Sequence, residues 1–445
     1  MTYPDTKLTK PIRRAIMISL FVCFFIISPI IILYTAGYRY DFEKNEIRQT
    51  GVISIDVKPN NVSVYLGGVL VKKNLPIRLT NRAPGTYSLH IEANGYQDWN
   101  KEITVESKQT TYVRDITLFK INKPIELDLE IENIKDVIFS YTGKYAIILQ
   151  EKNNVFEISL LDIDSESLSP LSRSYNEVVP NISWSPFYPF VMIQTETEGS
   201  TQVQIIDARN SDLNNKTYTF STALEFNYQW SSDILAPALF IQSGSTLYEA
   251  NLNEISRLAT IGIEEPWFVD KKIVWQSNKN NNTVSTLNGS DLNDYKSNNI
   301  IEKIIDINSD RLIAKTNQGI EIILMKKDGS GESKLITVDR YRYNSDTREW
   351  IAWSNWELWT IYPDGNTQIL NRMSEAINQT IPLDQFGVLI FSTKNTLRAF
   401  NPGYYITHDL YTGEDINKFG INIGERKIYL WGKVENKNGI FTLDY

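Results

Sequence analysis

The chain contains only two histidines, and neither has the neighbours that histidine chemistry requires. His90 and His408 lack the His-Glu spacing of a zinc site, and the single cysteine, Cys23, lies far from both in sequence. The sequence has no Gly-x-Ser-x-Gly elbow, so a serine triad through His408 rests on residue types alone. We interpret both histidines as hydrogen-bonded or solvent-facing side chains.

Two acidic segments could serve a sugar hydrolase or hold a cation. Glu264 and Glu265 precede Pro266, but adjacent residues of a strand face opposite ways and cannot flank one glycosidic bond. We therefore favour an exposed turn. The segment Asp328-Gly329-Ser330-Gly331-Glu332 lacks the spaced carboxylates of a calcium loop and the glycine pattern of a phosphate loop. The sequence predicts no catalytic, cofactor-binding or metal-binding residue, and a protein that is not an enzyme.

The elements that would position any site begin with an uncharged N-terminal segment. No charged residue occurs from Ala15 through Tyr38. About 20 apolar residues suffice to cross a bilayer core, so we expect a transmembrane helix over 15–36, in which a kink at Pro29 is tolerated. The alternative is a cleaved signal peptide, whose apolar core is shorter and whose cleavage site Thr35-Ala36-Gly37 would match only weakly.

The flanking charges predict the orientation of this helix. Residues 1–14 carry a net charge of +3 and the whole chain carries −8, so the remainder carries −11. Because positive residues stay inside, we expect 1–14 as a cytoplasmic tail, 37–50 as a stalk and an extracytoplasmic body at the cell membrane. The acidic body argues against nucleic-acid binding, and Cys23 inside the span leaves that body without disulfides.

Alternating apolar residues after the stalk predict a small β-sandwich. Gly67-Gly68 between two alternating runs is a strong hairpin signal, because primed turns need positive φ angles. Further turns are expected at Ala83-Pro84-Gly85 and Asn94-Gly95-Tyr96. Tyr96 and Trp99 are interpreted as core aromatics.

The order of these elements resembles the PEGA domain. The resemblance covers residues 51–118 and is carried by Val57-x-Pro59, Val64-Tyr65-Leu66-Gly67-Gly68, Leu79, Pro84-Gly85-Thr86-Tyr87, Gly95-Tyr96 and Trp99. Membership of that family implies a surface-associated sandwich without enzymatic activity, often next to a membrane anchor.

Eight apolar runs recur about every 40 residues in the remainder of the chain, and most are followed by a second strand pattern. This repeat predicts an all-β fold with a β-propeller over 119–445, of about eight blades with seven possible. We expect the runs to be the inner strands, and Ile125-Leu127-Leu129 to close the ring. The runs are 145–149, 190–193, 238–241, 272–275, 311–314, 350–353, 388–391 and 428–431.

Two phrases in the first blades resemble the WD40-like and TolB-type propeller repeats. They are Phe139-Ser140-Tyr141-Thr142-Gly143-Lys144 and Trp184-Ser185-Pro186.

One segment tests the prediction that the repeats consist of strands. It contains four tryptophans with helical spacing, Trp350, Trp353, Trp356 and Trp359. Their strand preference and the turn residues around them favour a hairpin.

These expectations favour a membrane-anchored surface protein that binds or scaffolds. The membrane is the first expected partner, through residues 15–36, and a cell-envelope polymer or a surface protein is the second. No cofactor is expected. The alternatives are an extracytoplasmic propeller hydrolase or lyase, which a funnel lined by an arginine-carboxylate group would favour, and an envelope assembly factor resembling the TolB type.

Overall fold

A computed structural model describes residues 10–445 apart from 42–45, 72–73, 130, 154, 175–178, 198, 212–213, 222–225, 234–236, 288–293 and 326–330. The chain forms two compact units, Met1–Ile121 and Asn122–Tyr445. The segment Asp328-Gly329-Ser330 therefore lies outside the described residues, whereas Gly331 and Glu332 begin a strand.

The first element is the apolar helix α1, Lys10–Thr35, with Pro29 inside it. None of its side chains is buried, and it is the one helix among the described residues that is long and apolar enough to cross a membrane. Its 26 residues correspond to about 39 Å, more than a bilayer core requires. The predicted stalk instead holds a two-stranded antiparallel hairpin, β1 (Tyr38–Asp41) and β2 (Glu46–Gln49).

Seven strands form the sandwich that follows. One sheet has the order β6-β3-β9, in which β3 and β9 are parallel, and the other has the order β5-β4-β7-β8. The strands are β3 (Gly51–Lys58), β4 (Ser63–Leu66), β5 (Val69–Leu70), β6 (Ile77–Arg82), β7 (Gly85–Glu92), β8 (Trp99–Val105) and β9 (Thr110–Thr117).

The local signals of the sandwich are present in the structure. Gly67 and Gly68 have φ angles of 58° and 78°, as a primed hairpin turn requires, and they join β4 to β5. Trp99 is a core aromatic with 1 % of its surface exposed, whereas Tyr96 is only half-buried. The core prediction is therefore confirmed for Trp99 and holds only in part for Tyr96.

The second unit consists of eight four-stranded antiparallel sheets, which we number as blades 1 to 8. Blades 1 to 4 comprise β11 (Ile134–Phe139), β12 (Tyr145–Lys152), β13 (Val155–Asp162), β14 (Ser167–Ser174); β15 (Asn181–Trp184), β16 (Phe190–Thr197), β17 (Ser200–Asp207), β18 (Asn215–Ser221); β19 (Phe226–Trp230), β20 (Leu239–Ser243), β21 (Thr246–Ala250), β22 (Ile255–Thr260); and β23 (Trp267–Asp270), β24 (Ile273–Asn278), β25 (Thr283–Thr286), β26 (Tyr295–Lys296).

Blades 5 to 8 comprise β27 (Ile301–Ile307), β28 (Arg311–Thr316), β29 (Gly319–Met325), β30 (Gly331–Ile336); β31 (Arg340–Asn344), β32 (Glu349–Trp353), β33 (Glu357–Ile361), β34 (Thr367–Arg372); β35 (Gln379–Pro382), β36 (Leu389–Ser392), β37 (Thr396–Asn401), β38 (Ile406–Thr412); and β39 (Asp415–Asn422), β40 (Lys427–Val434), β41 (Lys437–Asp444). The fourth strand of blade 8 is β10 (Ile125–Glu126), which comes from the start of the unit.

The blades form a closed ring. Buried apolar clusters bridge successive blades from 8 to 1 and from 1 round to 7. Blade 7 joins blade 8 through Gln379, whose amide donates to the Phe419 carbonyl at 2.9 Å and accepts from its N–H at 3.1 Å. The fold prediction, with eight blades and a closing strand at Ile125, is confirmed. Closure removes the exposed strand edges that an open array would leave.

The predicted position of the apolar runs within each blade is wrong. The apolar runs expected to be inner strands are the second strands of their blades, and each is preceded by a first strand that lies at the end of its sheet. First strands of adjacent blades bond directly, as when Gln229 of β19 pairs through its amide with both backbone groups of Val269 in β23. Second strands are the more apolar because they are covered by neighbouring sheets on both faces, whereas first strands line the channel of the ring.

Candidate functional site

A cavity of about 320 Å³ opens where the first strands of blades 1 to 6 approach each other. Its wall is mostly aromatic, with a few polar groups between the rings. The lining residues used below are Tyr141, Phe187, Trp230, Lys303, Asp306, Arg342, Tyr343 and Trp350, and we call this space the channel cavity.

The first strands present these side chains because their two faces differ from those of the other strands. In β19 and β31 most residues are half-buried instead of alternating between buried and exposed. One face of such a strand packs in the wall between blades, and the other meets the channel, where there is no second sheet to cover it. Large amphipathic residues such as Trp and Tyr suit this position, since they bury their rings and keep a polar tip.

The rings on one side of the cavity support each other. Tyr343 lies 5.0 Å from Trp350 and 6.1 Å from Phe187, measured between ring centroids. Tyr341 contacts Trp350 edge to face at 5.7 Å. Burial is the main reason that the pKa of Tyr341 rises to about 12, so its phenol stays neutral at physiological pH. The wall is therefore a neutral, preformed aromatic surface.

Arg342 is the charged residue most enclosed by this wall. Its guanidinium carbon lies 4.3 Å above the centroid of the Tyr141 ring. Burial lowers the pKa of Arg342, while the Tyr141 phenol is the charge that acts in the opposite direction. No carboxylate in the described part of the chain forms an ion pair with Arg342. Arg342 is half-buried, so its charge is partly desolvated without an anion to compensate it.

Asp306 is the carboxylate that lines the channel cavity, and it is already neutralised. It is held by the guanidinium of Arg311 and accepts a hydrogen bond from the Trp350 indole at 3.3 Å. Arg311 also donates to the carbonyls of Tyr362 and Pro363, at 3.1 and 2.7 Å, which fixes it between blades 5 and 6. The pair is an arginine-carboxylate group beside the channel, and both terminal nitrogens of Arg311 are bonded within the protein, whereas its buried Nε has no hydrogen-bond partner among the described residues.

A second cavity of about 560 Å³ lies at the opposite ends of the first strands in blades 2 to 5. It adjoins the channel cavity, because Tyr228, Gln229, Lys303 and Ile304 line both. Glu264 and Glu265 line this second cavity from the turn before β23. The Glu264 side chain is 75 % exposed, and its carboxylate lies 4.0 Å from the Lys279 ammonium. The structure thus places the paired carboxylates at a channel entrance that sequence reasoning did not predict.

The two histidines lie elsewhere. His90 is on the outer face of β7, where its ring nitrogens contact Asn100 at 2.6 Å and Glu92 at 3.2 Å. Ligand atoms of His90, Glu92 and Asp98 lie within 4.8 Å of one another, and Tyr65 donates to Glu92 at 2.8 Å. This exposed network satisfies its own hydrogen bonds. His408 is buried in β38, the outermost strand of blade 7, away from the channel cavity.

The sequence did not predict that the residues of the channel cavity form a site. Tyr141 and Trp184 were noted only because their phrases resemble propeller repeats, and Arg342 was not noted at all. The available signal was that strands with Tyr, Trp or Arg precede four of the apolar runs, as in Arg340-Tyr341-Arg342-Tyr343. Its meaning depends on knowing that this strand faces the channel.

The helix, the sandwich and the ring of blades define a PEGA-domain protein with a β-propeller. Residues 50–122 match the PEGA domain family, which confirms the resemblance predicted over 51–118. No curated protein matches this chain in sequence.

Among solved structures, the propeller is similar to several distant proteins. The uncharacterized protein lmo1340 from Listeria monocytogenes EGD-e is 10 % identical with a TM-score of 0.43, over 65 % of this chain and 97 % of that one. Apo AztD from Citrobacter koseri is 10 % identical with a TM-score of 0.46, over 67 % and 91 %. The Dos1 propeller is 9 % identical with a TM-score of 0.46, over 73 % and 94 %.

Proposed function

We propose that this is a membrane-anchored binding protein whose propeller holds a ring-bearing segment of a cell-envelope polymer in the channel cavity. The observation that carries the proposal is the set of aromatic side chains that five blades contribute around a space of about 320 Å³. That volume lies at the small end of the range for ligand pockets, and aromatic walls with a few convergent polar groups are typical of them.

The proposed topology places residues 1–14 in the cytoplasm, α1 in the membrane and both β units outside. Support comes from the length of α1, the full exposure of its apolar side chains and the positive charge that precedes it. An anchored receptor does not have to capture free ligand from a distance, because the membrane keeps it next to the envelope.

Sugar rings fit the wall better than an extended peptide does. Trp230, Tyr343 and Phe187 offer flat faces on which a pyranose ring can pack, while serine and glutamine side chains between them can bond hydroxyl groups. The first strands are the edge strands of their sheets, so an extended peptide would pair along a backbone edge and leave the flat ring faces unused.

The competing proposal is an extracytoplasmic hydrolase, and the Arg311–Asp306 pair beside the cavity is the observation in its favour. We prefer binding because Arg311 is occupied by two backbone carbonyls and Asp306 by two donors, which is an arrangement that stabilises the blade junction. Release of reducing sugar from an envelope polymer by the native protein, abolished in Asp306→Asn, would decide for the hydrolase.

The binding proposal is tested with the full chain in detergent, titrated with soluble oligosaccharides from the cell envelope while tryptophan fluorescence is recorded. Trp184, Trp230 and Trp350 line the cavity, so occupancy changes their emission. Phe187→Ala should weaken binding about tenfold, because it removes an aromatic face worth on the order of 1 kcal/mol.

Phe386→Ala is the matched control for this experiment. Phe386 lies in the turn between β35 and β36 of blade 7, which corresponds to the turn of Phe187 between β15 and β16 in blade 2. Phe386 is 42 % exposed and does not line the channel cavity. The control should bind like the native protein. Absence of any saturable signal, or equal losses in both variants, would refute the proposal.

A further inference from the structure

We propose that the channel cavity recognises an anionic group on its ligand, and that Arg342 binds this group, a carboxylate or a phosphate carried by a sugar ring. This inference rests on the proposed function and narrows its ligand to acidic sugars. Three independent features support it: the free edge of the guanidinium, the balance of charge inside the cavity, and the contrast with the exterior of the body.

The contact with Tyr141 leaves the hydrogen-bonding edge of Arg342 available. The guanidinium carbon lies 4.3 Å from the Tyr141 ring centroid, and Arg342 donates no hydrogen bond to another residue in the described part of the chain. The five N–H donors point outward in the plane of the group, where they match two oxygens of a carboxylate or phosphate. Tyr141 therefore holds the guanidinium in place without using the donors that would bind an anion.

The charges around the cavity favour an anion over a cation. Lys303 is a second cation in the lining, and Lys315 is close enough to lower the pKa of the Tyr341 phenol in opposition to its burial. The lining carboxylate, Asp306, is held by Arg311 and the Trp350 indole. Asp270 is at the edge of this region, where it accepts a hydrogen bond from Ser232 at 3.4 Å, and burial raises its pKa.

This interior differs in sign from the rest of the body. The chain after residue 14 carries a net charge of −11, yet the cavity wall contains Arg342 and Lys303 and an acid that is already paired. Partial burial of the Arg342 guanidinium without its own anion costs some of its hydration free energy. An anion that enters from outside removes this cost, so the binding energy of the acid group is larger in this enclosed site than in water.

The aromatic wall defines what must be attached to the acid. Phe187 and Trp350 both contact Tyr343, and all three line the same cavity as Arg342, so a ligand whose acid reaches the guanidinium has these rings within the same enclosed space. A uronic acid and a sugar phosphate both have this form. Inorganic anions alone would satisfy Arg342 but leave the wall unused, so they should bind more weakly.

The experiment uses the full chain in detergent and three matched probes: glucose, glucuronic acid and glucose 1-phosphate, each followed by tryptophan fluorescence. Glucuronic acid or glucose 1-phosphate should bind at least tenfold more tightly than glucose, and whichever acid is preferred identifies the group. Arg342→Gln should remove this advantage and leave the affinity for glucose unchanged. Arg342→Lys should retain part of the preference for the acidic sugar, because lysine keeps the positive charge but lacks the planar, two-pronged donor arrangement of the guanidinium.

Arg372→Gln is the control, since Arg372 is 74 % exposed and pairs with Glu357 at 3.0 Å on the outside of blade 6. The inference is overturned if glucose binds as tightly as its acidic counterparts, or if Arg342→Gln keeps the preference for them. In either case binding of glucose would leave the proposed function intact. Failure of all three sugars to bind would overturn both proposals.

Should Arg342→Gln fail to fold, a competition experiment on the native protein decides. Inorganic phosphate should displace the preferred acid and have no effect on bound glucose. Equal displacement of both ligands, or of neither, would contradict an anion subsite.

Discussion

His408 and His90 illustrate how burial and partners determine the behaviour of a single residue. Burial lowers the pKa of His408, against a smaller opposing effect of Asp409. Burial also lowers the pKa of His90, but hydrogen bonds with Asn100 and Glu92 outweigh it, so its pKa is raised. The two histidines therefore change the stability of their units with pH in opposite directions.

The propeller should lose stability as the pH falls below about 6.5, in part through His408. Between the unfolded pKa and the lower folded pKa, the unfolded chain binds a proton that the folded chain excludes, which favours unfolding. His408→Gln should remove this component, so that its free energy of unfolding changes less between pH 7.5 and pH 5.5 than that of the native protein. Chemical denaturation at the two pH values measures the difference.

Asn100→Ala is the control for the histidine prediction, because Asn100 contacts His90 and lies in the other unit. It should leave the pH dependence of the propeller transition unchanged. An identical pH dependence of the propeller transition in His408→Gln and the native protein would show that His408 titrates alike in both states.

At the scale of elements, turn chemistry and strand pattern were sufficient to locate most hairpins. The four tryptophans from Trp350 to Trp359 lie in β32, β33 and the turn between them, where Trp356 is 53 % exposed. The hairpin interpretation is confirmed because cross-strand pairing, as between Ala352 and Trp359, buries more of these rings than a helix of this length could. The runs themselves could not show which strand of a blade is innermost.

The strand β10 should be essential to the ring although it has two residues. It pairs with β41, and the N–H of Leu127 just after it donates to the Ile440 carbonyl at 2.9 Å. A fragment of residues 122–445 should fold, whereas a fragment of residues 131–445 should melt roughly 5–10 °C lower, because it loses buried Leu127 and the closing pairs. Thermal unfolding by circular dichroism measures the difference.

Glu126→Ala in the longer fragment is the control for ring closure. It removes the exposed contact of Glu126 with Lys437 at 2.8 Å but keeps the backbone pairs, so the melting temperature should fall by no more than about 2 °C. Equal melting temperatures of the two fragments would mean that blade 8 closes the ring with three strands.

At the scale of the molecule, the proposed location of both β units depends on whether the helix α1 is an uncleaved anchor. We expect the mature protein to keep Met1 through Thr35 and to stay in membranes after alkaline extraction. A fragment of residues 38–445 should be extracted. Intact mass and membrane fractionation check this expectation, and a mature chain that begins near Gly37 would establish a cleaved signal peptide instead.

Charges placed in the apolar segment give a graded test of the anchor. Replacing Phe24 and Ile27 with aspartate costs about 2.5–3.5 kcal/mol for each charge near the centre of a membrane helix, so the double variant should lose stable insertion. Leucine at both positions should retain it. Membrane retention of the aspartate variant would indicate that other parts of the chain hold the protein at the membrane.

The sequence by itself determined the features that depend on near neighbours. The uncharged run from Ala15 to Tyr38 specifies an apolar helix, Gly67-Gly68 specifies a turn, and the recurring apolar runs specify blades. These signals are readable because helix and strand periodicity and positive φ angles are local properties.

Only the tertiary structure decided which strands face the channel and which residues meet there. Tyr141 and Arg342 are about 200 residues apart, and each looks like an ordinary strand or turn residue in the sequence. Closing eight blades into a ring brings them into contact and partly buries the guanidinium, which places a common residue in the wall of an aromatic cavity. That change arises from ring closure, and no local pattern records it.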